Sequence, residues 1–208
     1  MRKCHGWTLC WSCATPFLKN KKEQMVCSVE CAINLQNGVM SKKATWTHSR
    51  WLEELQRDVN KAVRLIDQGH PCISNGSAFK EGIMDAGHYY ARSTHPVLRF
   101  HLLNIWGQSK YDNRFMEGNR QGFSKGLSLV GGDTLLEEIE TLPQVFKTGK
   151  WSIPELATAR DVVRSFVLDF EKKGYYLENE DRIKLKRELT ELTGLYDVDL
   201  MRKNISSL

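Results

Sequence analysis

The segment that decides the fold is residues 71–119, PCISNGSAFKEGIMDAGHYYARSTHPVLRFHLLNIWGQSKYDNRFMEGN. It carries three polar side chains in order: His88 near the end of a predicted strand, Asn104 about one hairpin later, and Asn113 where a helix is expected to begin. Each one alone has an ordinary structural interpretation, because Asn is common in turns and helix caps and a lone His is usually just hydrogen-bonded. Only their order points to a catalytic site.

The pattern around these residues predicts a hairpin followed by a helix. Residues 82–89 suit a first arm, and residues 97–103, which follow Pro96, suit a second arm. The helix is expected from Asn113 onward.

This strand–strand–helix order resembles the ββα-metal, or HNH, nuclease core. The resemblance implies that His88 is a general base, that Asn104 orients its ring, and that Asn113 offers an oxygen to a divalent cation. An amide is a weak ligand, so Asp85 or Asp112 is expected to add a carboxylate. Hard oxygen donors of this kind suit Mg²⁺ or Mn²⁺.

Four positions in the same segment have the spacing of a structural zinc site without its residues. Cys72 and Asn75 are spaced like a CxxC pair, and so are Ser109 and Asp112. Many HNH cores carry zinc at two such pairs, but one Cys and one Asp are too few for a stable structural site. We expect that this zinc brace has been lost, or replaced by hydrogen bonds and packing.

A second set of cysteines near the N-terminus has the complete pattern. It reads Cys10-x2-Cys13 and, thirteen residues later, Cys27-x3-Cys31. Two close thiol pairs joined by a short loop can hold one tetrahedral Zn²⁺. Disulfide bonds are the alternative, which an intracellular setting disfavours. Cys4 and His5 are spare and provide a minor alternative for one ligand.

Composition narrows the class of protein. With 208 residues, 41% of them hydrophobic and 26% charged, the chain has enough apolar residues for a folded core. No run of eighteen apolar residues and no signal-peptide pattern are present, so we expect no membrane partner and a cytoplasmic location.

The formal net charge of +5 suits a polyanionic partner without proving one. Basic residues are frequent in residues 1–43, whereas acidic residues concentrate later, so a positive face is expected on the N-terminal half. The candidate DNA contacts are Lys19, Lys21, Lys22, Arg92, Arg99, Lys110 and Arg114.

Several separate motifs, in order, resemble the NinG/Rap family of phage recombination nucleases. They are Cys72-Ile73-Ser74-x-Gly76, Asp85-Ala86-Gly87-His88-Tyr89, Leu98-Arg99-Phe100, Asn104-Ile105, Gln108, Asn113 and Gly118-Asn119. The knuckle around Cys27 and the helix led by Trp151 extend the resemblance over roughly residues 8–173. It implies a metal-dependent, structure-specific DNA endonuclease acting on branched recombination intermediates such as Holliday junctions and D-loops. Its expected partner is branched or duplex DNA, and its expected location is the host cytoplasm if the chain is phage-encoded.

The chain departs from this family pattern at several positions. Trp106 stands where a His is usual, and Asn75, Ser109 and Asp112 stand where Cys is frequent. The alternative function is therefore a catalytically weak, branched-DNA-binding protein that retains the HNH fold. A zinc-knuckle adaptor is a third interpretation, which leaves the motif order unexplained. Two-fold cleavage of a junction would favour a homodimer.

The predicted fold class is α+β: a zinc-knuckle module (1–43), a long connecting helix (44–70), an HNH-like nuclease core (71–130) and helical C-terminal support (131–208). Apolar residues at helical spacing predict helices over 46–68, 134–142, 152–173 and 181–193. Ser152 and Glu155 have the spacing of a capping box, which predicts where the third of these begins. The charged face of the first, with Arg50, Arg57, Lys61 and Arg64, is expected to be an ordinary solvated face rather than a DNA-binding one. The last helix lies beyond the resemblance, and packing on the core is expected rather than packing on a second copy.

Overall fold

The central element is α2 (His48–Ile66), whose apolar stripe is buried along its whole length. The side chain of Thr47 caps its first turn by accepting a hydrogen bond from Arg50 N. The helix ends at Ile66 with Asp67 as its C-cap, and Gly69 follows with a left-handed φ of +83°. The helix predicted over 46–68 is confirmed with slightly shorter ends.

The computed structural model describes residues 6–79, 83–147 and 149–196.

Three further long helices follow α2 in the described residues. The first, α4 (Arg120–Val145), changes direction at Gly131 and Gly132, whose backbone is not helical, and includes the predicted helix 134–142 as its second half. The second, α5 (Ile153–Lys173), begins with the predicted capping box between Ser152 and Glu155. The third, α6 (Asn179–Leu192), packs on the core, as expected from the sequence. Of these, α5 and α6 pack against α2, and α4 packs against α6.

A buried charge cluster joins α6 to α2 and the central sheet. The Asp67 carboxylate lies 3.0 Å from the Arg182 guanidinium and 3.1 Å from Lys186 Nζ. It also accepts a hydrogen bond from Gly107 N, and Lys186 donates to the Ile105 carbonyl. Buried charges need partners of this kind to offset their lost hydration. The last helix is thus an integral part of the fold.

Two small antiparallel sheets complete the architecture. At the N-terminus, β1 (Trp7–Leu9) pairs with β2 (Pro16–Leu18). The cysteine-bearing segment continues into α1 (Val29–Gln36), and the two strands pack against α5. In the centre, β3 (Asp85–His88) pairs with β4 (Ile105–Gln108), with His88 opposite Ile105. A short helix, α3 (Lys110–Arg114), follows β4.

The predicted second arm was misplaced. Residues 96–98 and 102–104 form two 3₁₀ turns, and the pairing strand starts only at Ile105. The reason is that the Asn104 side chain binds backbone groups of Tyr90 and Leu98 and holds the intervening chain as a folded loop. The predicted helix start at Asn113 was also wrong, because Ser109 is the N-cap of α3.

The molecule is a mixed fold dominated by helices, with two small sheets and a cluster of four cysteines. No helix in the described part of the chain has both the length and the apolar character needed to cross a bilayer. The predicted domain boundaries stay predictions, and the end of the last one lies outside the described residues.

Candidate functional site

The central sheet and α3 bring three of the predicted catalytic residues to one open cleft of about 900 Å³. Asp85 and His88 come from β3, and Asn113 comes from α3. Four guanidinium groups also line the cleft; they belong to Arg64, Arg92, Arg99 and Arg114. The site is therefore polar, accessible and rich in positive charge.

His88 is held in one tautomer by the backbone. Its Nε2 lies 3.0 Å from the Arg99 carbonyl oxygen, which can only accept, so Nε2 carries the proton and the Nδ1 lone pair remains available. Burial, reinforced by the charges of Arg92 and Arg99, lowers the pKa of His88 to about 4. The ring is therefore neutral at cellular pH and able to accept a proton.

The predicted hydrogen bond between Asn104 and the His88 ring is not formed. Asn104 is fully buried; its Nδ2 donates to the carbonyls of Tyr90 and Leu98, and its Oδ1 accepts from Tyr90 N. Its backbone carbonyl also accepts from Tyr89 N, next to His88. Asn104 thus shapes the loop that carries the Arg99 carbonyl to the imidazole, and acts on His88 only indirectly.

Asp85 and Asn113 form the oxygen-rich side of the cleft. The Asp85 carboxylate accepts hydrogen bonds from Asn113 Nδ2 at 3.1 Å and Arg114 Nε at 2.9 Å. Burial alone would raise the pKa of Asp85, but these two donors and the Arg114 charge outweigh it, so the pKa is lowered. An ionised carboxylate beside an amide oxygen suits a hard cation that keeps most of its water shell, as Mg²⁺ does.

Asp112 lies outside the cleft, so its position does not support the predicted role as a ligand of a catalytic metal. It is buried, and its carboxylate accepts hydrogen bonds from the side chains of Asn75, Ser109 and Asn119. The Cys72 thiol lies 3.7 Å from the same carboxylate.

These contacts bring together the four positions that have the spacing of a zinc site. Cys72 and Asn75 precede β3, Ser109 and Asp112 follow β4, and all four meet around the Asp112 side chain. Ser109 N also donates to Cys72 Sγ at 3.1 Å. Hydrogen bonds thus connect these four positions, while the loss or replacement of a zinc brace here stays a prediction. We call Cys72, Asn75, Ser109 and Asp112 the core quartet.

The four N-terminal cysteines form a second cluster, the thiol cluster. Their sulfurs lie within 4.8 Å of one another, and Cys27 Sγ is 3.7 Å from both Cys13 Sγ and Cys31 Sγ. Tetrahedral ligation with Zn–S bonds of about 2.3 Å places sulfurs about 3.8 Å apart, so the arrangement fits one zinc ion. Cys4 and His5 lie outside the described residues.

The charges in the thiol cluster also favour a cation. Burial would raise the pKa of the Cys10 thiol, but backbone N–H groups of Cys13, Cys27 and Ser12 lower it to about 6. Burial and the neighbouring thiols raise the pKa of Cys27 to about 12. Four thiols this close together need a positive ion between them to become four thiolates, because the negative charges would otherwise repel one another. The four cysteines could therefore bind zinc.

The candidate DNA contacts separate into two groups. Arg92, Arg99 and Arg114 line the cleft, and Lys110 is exposed at the start of α3. Lys19, Lys21 and Lys22 lie near the thiol cluster and do not line the cleft.

Sequence analysis missed Arg64. It belongs to the charged face of α2, for which an ordinary solvated face was the preferred interpretation. The structure places this face beside β3, so Arg64 lines the cleft. No local sequence signal distinguishes it from the other cations of α2.

These features define the class as a mostly helical protein with an N-terminal thiol cluster and a strand–strand–helix unit that forms a basic cleft. A model of the family described as "Bacteriophage Lambda NinG protein" matches residues 36–173. The chain belongs to this family, as the resemblance predicted. The matched range contains the cleft residues and begins after the thiol cluster.

Individual relatives agree with the family assignment. The chain is 32% identical to "Protein ninG" of Escherichia phage lambda over 114 residues, which cover 55% of this chain and 54% of the relative. It is 34% identical to "Protein ninG" of Escherichia phage 933W over 100 residues, covering 48% and 49% respectively. The chain thus spans about half the length of the curated relatives it matches. No solved structure shows a significant match.

Proposed function

We propose that this chain is a metal-dependent endonuclease of the HNH type that cuts branched DNA, such as Holliday junctions and D-loops, during phage recombination. The observation that carries the proposal is the cleft itself. A His with a free Nδ1, a carboxylate and an amide face the same basic space.

In this proposal His88 is the general base. Its Nδ1 takes a proton from a water molecule whose oxygen attacks the phosphorus, and the P–O bond to the leaving oxygen breaks. A bound phosphate offsets the charges of Arg92 and Arg99, which raises the pKa of His88 towards its ordinary value and makes it a better base. Arg64 and Arg114 hold the phosphate backbone.

Asp85 and Asn113 would hold a Mg²⁺ or Mn²⁺ ion, which supplies charge stabilisation for the phosphate when it is bound. The donor chemistry fits, because Mg²⁺ is commonly held by one or two protein oxygens, with water and phosphate completing its shell. Apart from the thiol cluster, the described residues contain no group of three or more His, Cys, Asp or Glu side chains placed to hold a metal.

The test is cleavage of synthetic four-way junctions with Mg²⁺ or Mn²⁺. His88→Ala should lower the cleavage rate by about 10²–10⁴-fold, because it removes the general base. Junction binding should be retained, since the phosphate contacts lie on other residues. His48→Ala is the matched control, because His48 also contacts a backbone carbonyl, that of Trp151, but lies outside the cleft.

A catalytically weak, branched-DNA-binding protein is the second candidate. The core quartet favours it, because three of its four positions lack the cysteine that the family resemblance implies. One of these positions, Asp112, is next to the cleft residue Asn113 on α3. Wild-type protein that binds junctions but cuts none with either metal would establish this alternative. A His88→Ala protein that cuts at the wild-type rate would place the activity at another site.

The dependence of affinity on salt concentration tests DNA binding itself. Phosphate contacts release counterions, so affinity should fall steeply as salt increases, and each lost contact should reduce the log–log slope by about 1. Arg64→Ala and Arg92→Ala should each show this reduction. Lys184→Ala, an exposed cation on α6, should leave the slope unchanged.

A further inference from the structure

The helix beside the cleft has an inverted polarity. On α3 and the turn that follows it, Tyr111 is 63% exposed, Phe115 is 70% exposed and Met116 is 48% exposed. Asp112 on the same helix is only 3% exposed. Burying a carboxylate while leaving three large apolar side chains in water is the reverse of the usual pattern, and such an exposed patch commonly marks a binding surface.

We propose that Tyr111, Phe115 and Met116, here called the aromatic ridge, stack against unpaired bases at a DNA branch point. This inference rests on the proposed function, whose substrate it makes more specific. The ridge would let the protein recognise a branch by its exposed base faces rather than by sequence.

The shape of the ridge suits a base. The rings of Tyr111 and Phe115 lie one helical turn apart, with centroids 6.2 Å from each other and planes inclined by 31°. They form a continuous exposed aromatic face, and bases stack on such faces independently of sequence. Met116 adds a flexible apolar side chain at the end of this face.

The charges around the ridge suit the backbone that accompanies a base. Lys110 directly precedes Tyr111 and is exposed. Arg114 lies towards the other side of α3, where it pairs with Asp85 and lines the cleft. Cations beside an aromatic face are the usual combination for single-stranded nucleic acid. A phosphate chain that runs from the ridge to the cleft would meet positive charge on its path, which favours a nucleic acid as the occupant.

The ridge also lies at a suitable distance from the proposed cutting site. With 3.6 residues per turn, Tyr111 and Phe115 are each about 160–200° round the helix from Asn113, so the ridge and the cleft occupy opposite sides of α3. A helix is about 10–12 Å across with its side chains. Successive nucleotides of a duplex strand rise by about 3.4 Å, so the stacked base should lie about three nucleotides from the phosphate in the cleft.

The experiment uses the full chain and junctions that contain 2-aminopurine, whose fluorescence rises when it unstacks from its neighbours. The probe is placed at the branch or in the middle of one arm, without added divalent metal. Wild-type protein should raise the signal of the probe at the branch and leave the signal of the probe in the middle of an arm unchanged. The Tyr111→Ser, Phe115→Ser double variant should abolish this rise and weaken junction binding by about 5- to 150-fold, the contribution of one stacked base. Its binding to plain duplex should change little.

Two further variants complete the design. Leu129→Ser with Leu168→Ser removes two exposed apolar side chains elsewhere and should behave as wild type. Tyr111→Phe with Phe115→Tyr keeps both rings and should retain the fluorescence change. Circular dichroism of each variant checks that the fold is retained.

An unchanged fluorescence rise in the double serine variant would overturn the inference, while junction cleavage by the wild type would still support the nuclease. A wild type that unstacks branch bases through the ridge but cuts nothing would support the inference and remove the nuclease. A fall in molecular mass from dimer to monomer in the serine variant, with junction affinity unchanged, would also overturn the inference by assigning the ridge to self-association.

Discussion

The thiol cluster and the core quartet join chain segments in the same way but with different chemistry. In each, two closely spaced pairs from separate stretches of chain meet at one point. In the thiol cluster all four side chains are cysteines suited to zinc. In the core quartet a buried carboxylate occupies the centre and accepts hydrogen bonds from the amide and hydroxyl groups around it.

The surroundings explain why the two regions differ. The thiol cluster is held by two three-residue strands and one eight-residue helix, which bury few apolar side chains. The core quartet lies beside β4 and α4, and α4 approaches so closely that a Cβ at Gly126 would overlap the Ile73 carbonyl oxygen. We therefore expect a metal to be needed where packing is sparse, and hydrogen bonds to be sufficient where packing already holds the chain.

The largest effect should follow removal of the metal from the thiol cluster. Cys27→Ser, or a strong chelator, should unfold the N-terminal segment and leave the remainder folded, because structural zinc contributes about 10–16 kcal/mol in comparable small modules. Hydrogen exchange measures this residue by residue, and metal analysis of wild-type protein should find about one zinc per chain. Cys72→Ser is the control and should keep the full zinc content. Two equivalents of zinc, or none, in the wild type would contradict the comparison.

The next largest effect should follow conversion of the core quartet into a second cluster of four cysteines. Replacing Asn75, Ser109 and Asp112 by Cys recreates four thiols around the position of the Asp112 carboxylate. The triple variant should bind about two zinc ions per chain instead of about one, and its melting temperature should become sensitive to chelator. Asp112→Cys alone should gain no zinc. A triple variant that folds yet binds no second ion would show that the geometry of the quartet is specific to hydrogen bonding.

A smaller loss is expected when the centre of the quartet is removed. Asp112→Ala leaves the side chains of Asn75, Ser109 and Asn119 without their acceptor, so the free energy of unfolding should fall by about 2–4 kcal/mol. Asp112→Asn keeps part of the network and should cost less. Urea unfolding measures both, with the exposed Asp133→Ala as control. A loss below about 0.5 kcal/mol for Asp112→Ala would mean that packing alone braces the core.

The smallest effect is the loss of folding stability in acid that the buried His101 should cause. Burial lowers the pKa of His101 from its ordinary value near 6.5 to about 4. The unfolded chain therefore binds more protons than the folded chain between these values. The contribution of His101 is fully present above about pH 6.5, decreases as the pH falls through this window, and reaches its minimum below about pH 4.

Urea midpoints measured from pH 7 to pH 4 should show a decline of roughly 1–3 kcal/mol from this group. His101→Phe, packed between the rings of Phe146 and Tyr196, removes this titrating group and should make the decline smaller, leaving the part due to His88, whose pKa is also lowered to about 4. An identical pH dependence in this variant would assign the acid sensitivity to other groups, including the thiol cluster as its sulfurs take up protons.

The sequence by itself determined the features that depend on neighbouring residues. Thiol spacing predicted the thiol cluster, apolar periodicity predicted α2 and α5, and the capping box at Ser152 predicted where α5 begins. The zinc-site spacing of Cys72, Asn75, Ser109 and Asp112 also predicted four positions that come together in the core. Each of these follows from short-range geometry, which the order of residues specifies directly.

Only the tertiary structure decided how the cleft is assembled. It supplied the Arg99 carbonyl as the partner of the His88 ring, turned the Asn104 amide towards the loop, and brought Arg64 to the cleft. It also buried Asp112 on α3 and exposed Phe115, the residue that directly follows this short helix. These outcomes depend on which backbone groups remain unpaired, and which faces are covered, once distant segments have packed; a local pattern of residues carries no information about either.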